Sequence, residues 1–216
     1  MPDAPASVSY RGELWRKALH IVTALACPLL VALIGLGATL WLVGMTALVA
    51  VLADVTRAYT PEFQAFIERY FGFMMRSDES GEATPVLNGA TWVLIAITLL
   101  LLLFPADIAL PIFIMFMLSD AAAALVGRRL GTHRWMGGNR TLEGSAAFFV
   151  VAVVALGALA TLAWWLVGVA AAAAALLEAV DMRLNDNVVV PFLTTLLVAL
   201  VLHFGLDASV DWLPIL

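Results

Sequence analysis

Seven long apolar runs, at about 18–34, 37–53, 89–104, 107–126, 144–160, 162–180 and 188–204, constrain this chain more than any other feature. Each is near the ~17–25 residues an α-helix needs to cross bilayer hydrocarbon. In lipid, backbone N–H and C=O groups must be satisfied within the protein, and runs of this length satisfy them as helices. The expected fold is therefore all-α, a polytopic transmembrane helical bundle of about seven spans. Composition agrees: only 12% of the 216 residues are charged and 63% are hydrophobic, whereas soluble domains carry roughly a quarter charged residues. One integral-membrane domain over 1–216 is expected rather than several domains.

The runs are punctuated where they should turn. Gly35-Leu36-Gly37 makes a tight turn between the first two, and Pro105 separates the third from the fourth. Residues 1–10 hold no basic n-region, so a cleaved signal peptide is not expected. With seven spans, all eleven Lys and Arg residues, from Arg11 to Arg183, fall on one side of the membrane. The positive-inside rule makes that side, with the N-terminus, cytoplasmic. The net charge of −5 does not suit a nucleic-acid binder. Cys27 stands alone and forms no internal disulfide.

The longest connection, 54–88, is a cytoplasmic loop. Pro61 can open a short helix there, and Phe63, Phe66, Ile67 and Tyr70 recur at helical spacing among Glu62, Glu68 and Arg69. An amphipathic helix lying at the interface or against the bundle is expected. Residues 76–85 read as a polar loop. The alanine run at 170–175 suits close helix packing.

Charges cluster at span ends on the cytoplasmic side. Asp120 follows the apolar stretch 115–118, and an unpaired carboxylate there is costly. A Mg²⁺ ion shared with phosphate oxygens would account for it, as would a snorkelling cap or an internal partner such as Arg128. Gly127 and Gly131 bracket Arg128 in a basic loop, 127–143, that suits a polyphosphate. The loop ends in Gly137-Gly138-Asn139-Arg140-Thr141-Leu142-Glu143-Gly144-Ser145. Arg140 is placed to neutralise phosphate, Thr141 to cap the fifth span, and Glu143 to bind the metal or orient the attacking hydroxyl. The plainer roles are also available: Thr141 as a cap only, Glu143 complementing the helix dipole. Between the two clusters, His133 reads as a loop histidine and Trp135 as an interface anchor. Arg16, Lys17 and His20, then Asp54 and Arg57, Asn88 to Thr91, and Glu178, Asp181, Asp186 and Asn187 share the same side.

Taken together, Ser119-Asp120, Ala123, Gly127-Arg128, Gly131 and the run Arg140 to Ser145 resemble the CTP-dependent lipid kinases. That family includes dolichol, phytol and farnesol kinases and a diacylglycerol kinase branch. Its central motif is similar to that of phosphatidate cytidylyltransferases. Arg140 stands where the family usually carries Lys. Arg16-Lys17-x-x-His20, Asp54-x-x-Arg57, Asn88-Gly89-Ala90-Thr91 and Asp186-Asn187-x-x-x-Pro191 also resemble the kinase branch. The resemblance implies transfer of the γ-phosphoryl of CTP to a membrane lipid alcohol (phytol, farnesol, polyprenol or dolichol), releasing CDP. It implies that Gly127, Arg128, Gly131, Arg140, Thr141, Gly144, Lys17, His20, Arg57, Asn88 and Asn187 serve nucleotide binding. Asp120 and Glu143 would hold Mg²⁺, and Asp54, Glu178 or Asp186 would assist the hydroxyl.

Two other functions compete. Cytidylyl transfer to a lipid phosphate would release pyrophosphate, but the C-terminal Lys-Asp and Gly-His-Gly-Gly patterns expected of that branch are absent. A transporter would place charges near the midplane, not at one face. The alanine richness and short chain point to a bacterial plasma membrane. Oligomeric state has no signature in the sequence.

Overall fold

A computed structural model describes residues 10–74, 87–135, 140–180, 184–206 and 210. Eight α-helices are described: α1 (Tyr10–Ile34), α2 (Leu36–Tyr59), α3 (Pro61–Phe71), α4 (Gly89–Leu103), α5 (Ala106–Leu130), α6 (Leu142–Leu159), α7 (Trp164–Ala179) and α8 (Asp186–Leu200). A 3₁₀ turn, Gly72–Met74, follows α3, and a π-helical turn, Val201–Gly205, closes α8. Arg76, the polar stretch 76–85, Gly137, Gly138, Asn139, Asp181 and Arg183 lie outside the described residues.

The chain is an all-α, polytopic membrane protein. Among the described residues, five helices are long and apolar enough to cross a membrane: α1, α2, α5, α6, and α8 with its π-helical turn. Two shorter apolar helices, α4 and α7, have 15 and 16 residues. At 1.5 Å per residue these reach ~22–24 Å, short of the ~30 Å hydrocarbon core.

Local chemistry sets the helix ends. Gly35 turns the chain between α1 and α2 at φ 83, a backbone conformation open to glycine at little cost. Asn88 caps α4, accepting from the backbone N–H of Ala90 at 2.8 Å and of Thr91 at 3.1 Å. Pro105 separates α4 from α5, and Pro61 opens α3. Thr141 caps α6 through the Gly144 N–H at 3.2 Å, and Asn185 caps α8 through that of Asn187 at 3.0 Å.

α5 is the central rod. Its stretch from Ile112 to Met117 is apolar on every face and buried throughout, as expected of a helix surrounded by others. Phe116 packs against Phe148 of α6, with ring centroids 6.1 Å apart. α1 and α2 are peripheral: each buries a narrow stripe and exposes leucines, valines and tryptophans. Trp41 and Trp164 are exposed at one end of the bundle, Tyr10, Trp15 and Tyr59 at the other. Amphipathic rings at both ends are what two membrane–water interfaces select.

Two helices run further than their apolar stretches suggest. α2 continues to Tyr59, so Asp54 and Arg57 lie within a helix and only Thr60 separates α2 from α3. α5 continues to Leu130, so Asp120 stands inside it and Gly127 and Arg128 occupy its last turns instead of a loop. Helical hydrogen bonding carries on through polar residues once their side chains find partners.

Candidate functional site

α1 turns Glu13, Arg16, Lys17, His20, Ala24 and Cys27 inward, at spacings of three and four that define one helix face. Glu13 Oε1 accepts from Arg16 Nη2 at 2.6 Å, with the Lys17 ammonium 3.9 Å away. Glu13 Oε2 accepts from Arg128 Nη2 of α5 at 3.2 Å. Lys17 Nζ donates to Asp120 Oδ2, also on α5. Two ion pairs thus join α1 to α5. Sequence reasoning passed over Glu13, although it lies three, four and seven residues before Arg16, Lys17 and His20. That spacing was the available signal.

Arg140 binds the ends of two more helices. Its Nη1 lies 2.9 Å from Glu178 Oε1 of α7, and its Nη2 donates to Asp186 Oδ2 of α8 at 2.5 Å. A planar guanidinium can engage two acids at once, which a single ammonium on a flexible stem does less well. Glu178 sits in the last turn of α7, where the helix dipole disfavours an anion, and its side chain is 3% exposed. Arg140 compensates both disadvantages. Asp120 is within electrostatic reach of Arg140, and Glu178 within that of Asp120, Asp186 and Lys17. The charges of α1, α5, α7, α8 and the segment before α6 therefore form one group at one end of the bundle.

The described parts of the connection from α5 to α6, on either side of residues 136–139, pair with each other as the two arms of a hairpin. Arg134 and Thr141 form an antiparallel bridge, and the Leu142 N–H donates to the His133 carbonyl at 2.8 Å. Glu143 accepts from Thr132 Oγ1 at 2.7 Å and contacts His133 Nδ1 at 2.7 Å. Trp135 Nε1 donates to Ser145 Oγ at 3.1 Å. No bond described for Glu143 reaches Asp120; Glu143 holds the hairpin. The glycines serve the helix crossing. A Cβ on Gly131 would lie 2.2 Å from the Gly127 carbonyl oxygen and 2.6 Å from Thr141 Cγ2. One on Gly144 would lie 3.0 Å from the Ala123 carbonyl oxygen and 3.4 Å from Gly127 Cα. Small residues let these backbones meet, and the crossing sets where Arg140 leaves the chain.

Asp54, Arg57 and Asn88 form a second group. Asp54 Oδ2 accepts from the Asn88 N–H at 2.9 Å and from Thr91 Oγ1 at 2.7 Å, and Oδ1 from Asn88 Nδ2 at 2.8 Å. Arg57 Nη2 stands 3.6 Å from Oδ1. Asp54 ties the end of α2 to the start of α4. Asn187 contributes its backbone N–H to the α8 cap.

Several buried polar atoms have no hydrogen-bond partner: both ring nitrogens of His20 and Arg16 Nε, on the face of α1 that carries Lys17, and Ser119 Oγ, next in sequence to Asp120. Buried polar groups are nearly always paired, so such orphans call for a ligand or ordered water.

A divalent metal can be tested against these donors. Among the described residues, no group of three or more His, Cys, Asp or Glu stands ready to hold one. Mg²⁺ does not require such a cage, since it takes one or two carboxylates and completes its shell with phosphate and water. Asp120 fits that role: Oδ2 engages Lys17 and Oδ1 takes no hydrogen bond among the described residues.

No family model and no solved structure matches the chain. It is 27% identical over 138 residues, 64% of its length, to an uncharacterized protein of Rickettsia prowazekii. That match spans 66% of the relative, just under two thirds. It is 28% identical over 170 residues, 71% of its length, to the CTP-dependent diacylglycerol kinase 1 of Schizosaccharomyces pombe, covering 76% of that protein. The likeness to that kinase is remote.

Proposed function

We propose that this protein transfers the γ-phosphoryl of CTP to a lipid alcohol, with the site at the cytoplasmic ends of about seven spans and the N-terminus on that side. A bacterial plasma membrane is the setting this reading favours. The carrying observation is the gathering of Lys17 from α1, Asp120 and Arg128 from α5, Arg140 from the segment before α6, Glu178 from α7 and Asp186 from α8 at one end of the bundle. The remote similarity to a CTP-dependent diacylglycerol kinase supports the nucleotide and the reaction class.

The group is layered by accessibility. The side chains of Arg128 and Arg140 are 37% and 36% exposed, whereas that of Lys17 is 7% exposed. The two arginines are open to an incoming triphosphate and can exchange carboxylate partners for phosphate oxygens. Positioned cations of this kind stabilise the charge spread over a transferring phosphoryl group. Asp120 would hold Mg²⁺ together with the phosphates, and the metal, when bound, supplies further charge neutralisation. Lys17 orients Asp120, and Glu13 orients Arg16 and Arg128. Glu178 and Asp186 stand within this group, so they are better placed than Asp54 to take the proton of the attacking hydroxyl. Glu143 and the Gly127–Gly144 crossing act through the position of Arg140.

Purified protein in detergent, given Mg²⁺, labelled CTP or ATP, and farnesol, phytol, undecaprenol, dolichol or dioctanoylglycerol in turn, tests the reading. CDP and a lipid monophosphate are expected. Pyrophosphate formed with a lipid phosphate acceptor would establish cytidylyl transfer instead, and no nucleotide turnover with any acceptor would overturn an enzymatic role.

A further inference from the structure

We propose that His20, on the face of α1 that meets Asp120, receives the acceptor lipid's neutral hydroxyl, so the lipid approaches from the bilayer along α1 while the nucleotide arrives from water. This rests on the phosphotransfer reading above. His20 is 3% exposed, and neither imidazole nitrogen has a hydrogen-bond partner. Leaving such groups unsatisfied is costly, and a ligand hydroxyl, able to donate or accept, would pair one of the ring nitrogens. The neighbouring charges are already committed: Arg16 to Glu13, Lys17 to Asp120, Arg128 to Glu13, and Arg140 to Glu178 and Asp186. The open group on His20 is neutral, which suits an alcohol and not a second phosphate.

The position on α1 supports the same assignment. Along the buried face the residues are charged at 13, 16 and 17, then imidazole at 20, then Ala24 and Cys27. His20 marks the change from polar to apolar, ~4.5 Å along the helix from Lys17 at 1.5 Å per residue. An amphiphile places its hydroxyl at such a boundary and its tail beyond it. The neighbouring α1 residues Leu19 and Val22 face outward, 46% and 62% exposed, so the lipid surface lies one helix width away. The hydroxyl then stands beside Asp120, where phosphates held by Arg128 and Arg140 would meet it.

His20→Ala and His20→Gln should be purified beside the wild type and assayed with CTP and farnesol or dioctanoylglycerol. His20→Ala should raise the KM for the alcohol or lower turnover at least about tenfold, the loss of one hydrogen bond to an otherwise unpaired partner. The Kd for labelled CTP, measured by equilibrium dialysis, should change less than twofold. His20→Gln keeps a donor and acceptor at similar reach and should recover part of the loss. Without acceptor, His20→Ala should melt no more than a few degrees from wild type, and the rise in Tm that the alcohol gives the wild type should vanish. A tenfold loss of CTP affinity would move His20 to the nucleotide. Unchanged alcohol kinetics and an unchanged Tm response would mean that only water meets the imidazole. Either result overturns this inference while leaving the kinase reading intact; wild-type protein with no alcohol-dependent CDP release overturns the reading itself.

Discussion

Two buried carboxylates stand at the same end of the bundle, Asp54 on α2 and Asp120 on α5, and their surroundings differ. Asp54 accepts from Asn88 and Thr91 through both oxygens and has Arg57 at its side. Its group is closed. Asp120 holds one ammonium, keeps Oδ1 without a hydrogen bond among the described residues, and meets a face of α1 that carries orphaned atoms of His20 and Arg16. A carboxylate whose lone pairs are spent on its own backbone caps stabilises a fold. One left with unspent oxygen beside unpaired donors is arranged for something that arrives later.

Substitutions can break that contrast. The largest effect is expected from Asp120→Asn, which keeps the side chain's shape and removes the charge that Lys17 and the metal would share. Turnover should fall at least about a hundredfold, the scale of losing one electrostatic stabiliser, with membrane insertion and detergent monodispersity retained. Near-wild-type CDP release from this variant would return Asp120 to a purely structural role. Next comes Arg140→Lys: an ammonium cannot span Glu178 and Asp186 together, so turnover should drop about tenfold or more. Equal turnover at saturating CTP would show that a point charge suffices there.

The Asp54 group sharpens the comparison from the other side. Asp54→Asn should lower stability by about 1–3 kcal/mol through its broken cap network, seen as a lower Tm. Turnover per folded molecule should stay within about threefold. A hundredfold loss of turnover at unchanged Tm would place Asp54 in the chemistry and erase the distinction. The smallest effect is expected from Glu143→Gln, which retains an acceptor for Thr132 and the His133 N–H. A change under about fivefold in turnover fits a hairpin role, and loss of Mg²⁺ dependence would instead make Glu143 a metal residue.

Much of this arrangement was legible in the chain. Apolar runs of bilayer length announce membrane helices because hydrocarbon allows few other backbones. Asn88, Pro61 and Thr141 announce helix starts because capping is local chemistry. The helix boundaries near charges were less legible. Asp120 and Gly127 interrupt the apolar pattern, yet α5 runs through them to Leu130, because partners on α1 satisfy Asp120 and Arg128 and α6 packs closely against the glycines.

Hydropathy and cap residues by themselves determined that this is an all-α membrane protein with its charges gathered near helix ends, since both act over one or two turns of chain. Only tertiary structure decided how those charges divide. Lys17 meets Asp120 from 103 residues away, Glu13 joins α1 to α5, and Glu143 turns to Thr132 and His133 instead of Asp120. Which acid takes which cation depends on helix packing and crossing, here set by Gly127, Gly131 and Gly144. Coulomb attraction acts through space, and residues far apart in sequence become neighbours only when the helices pack.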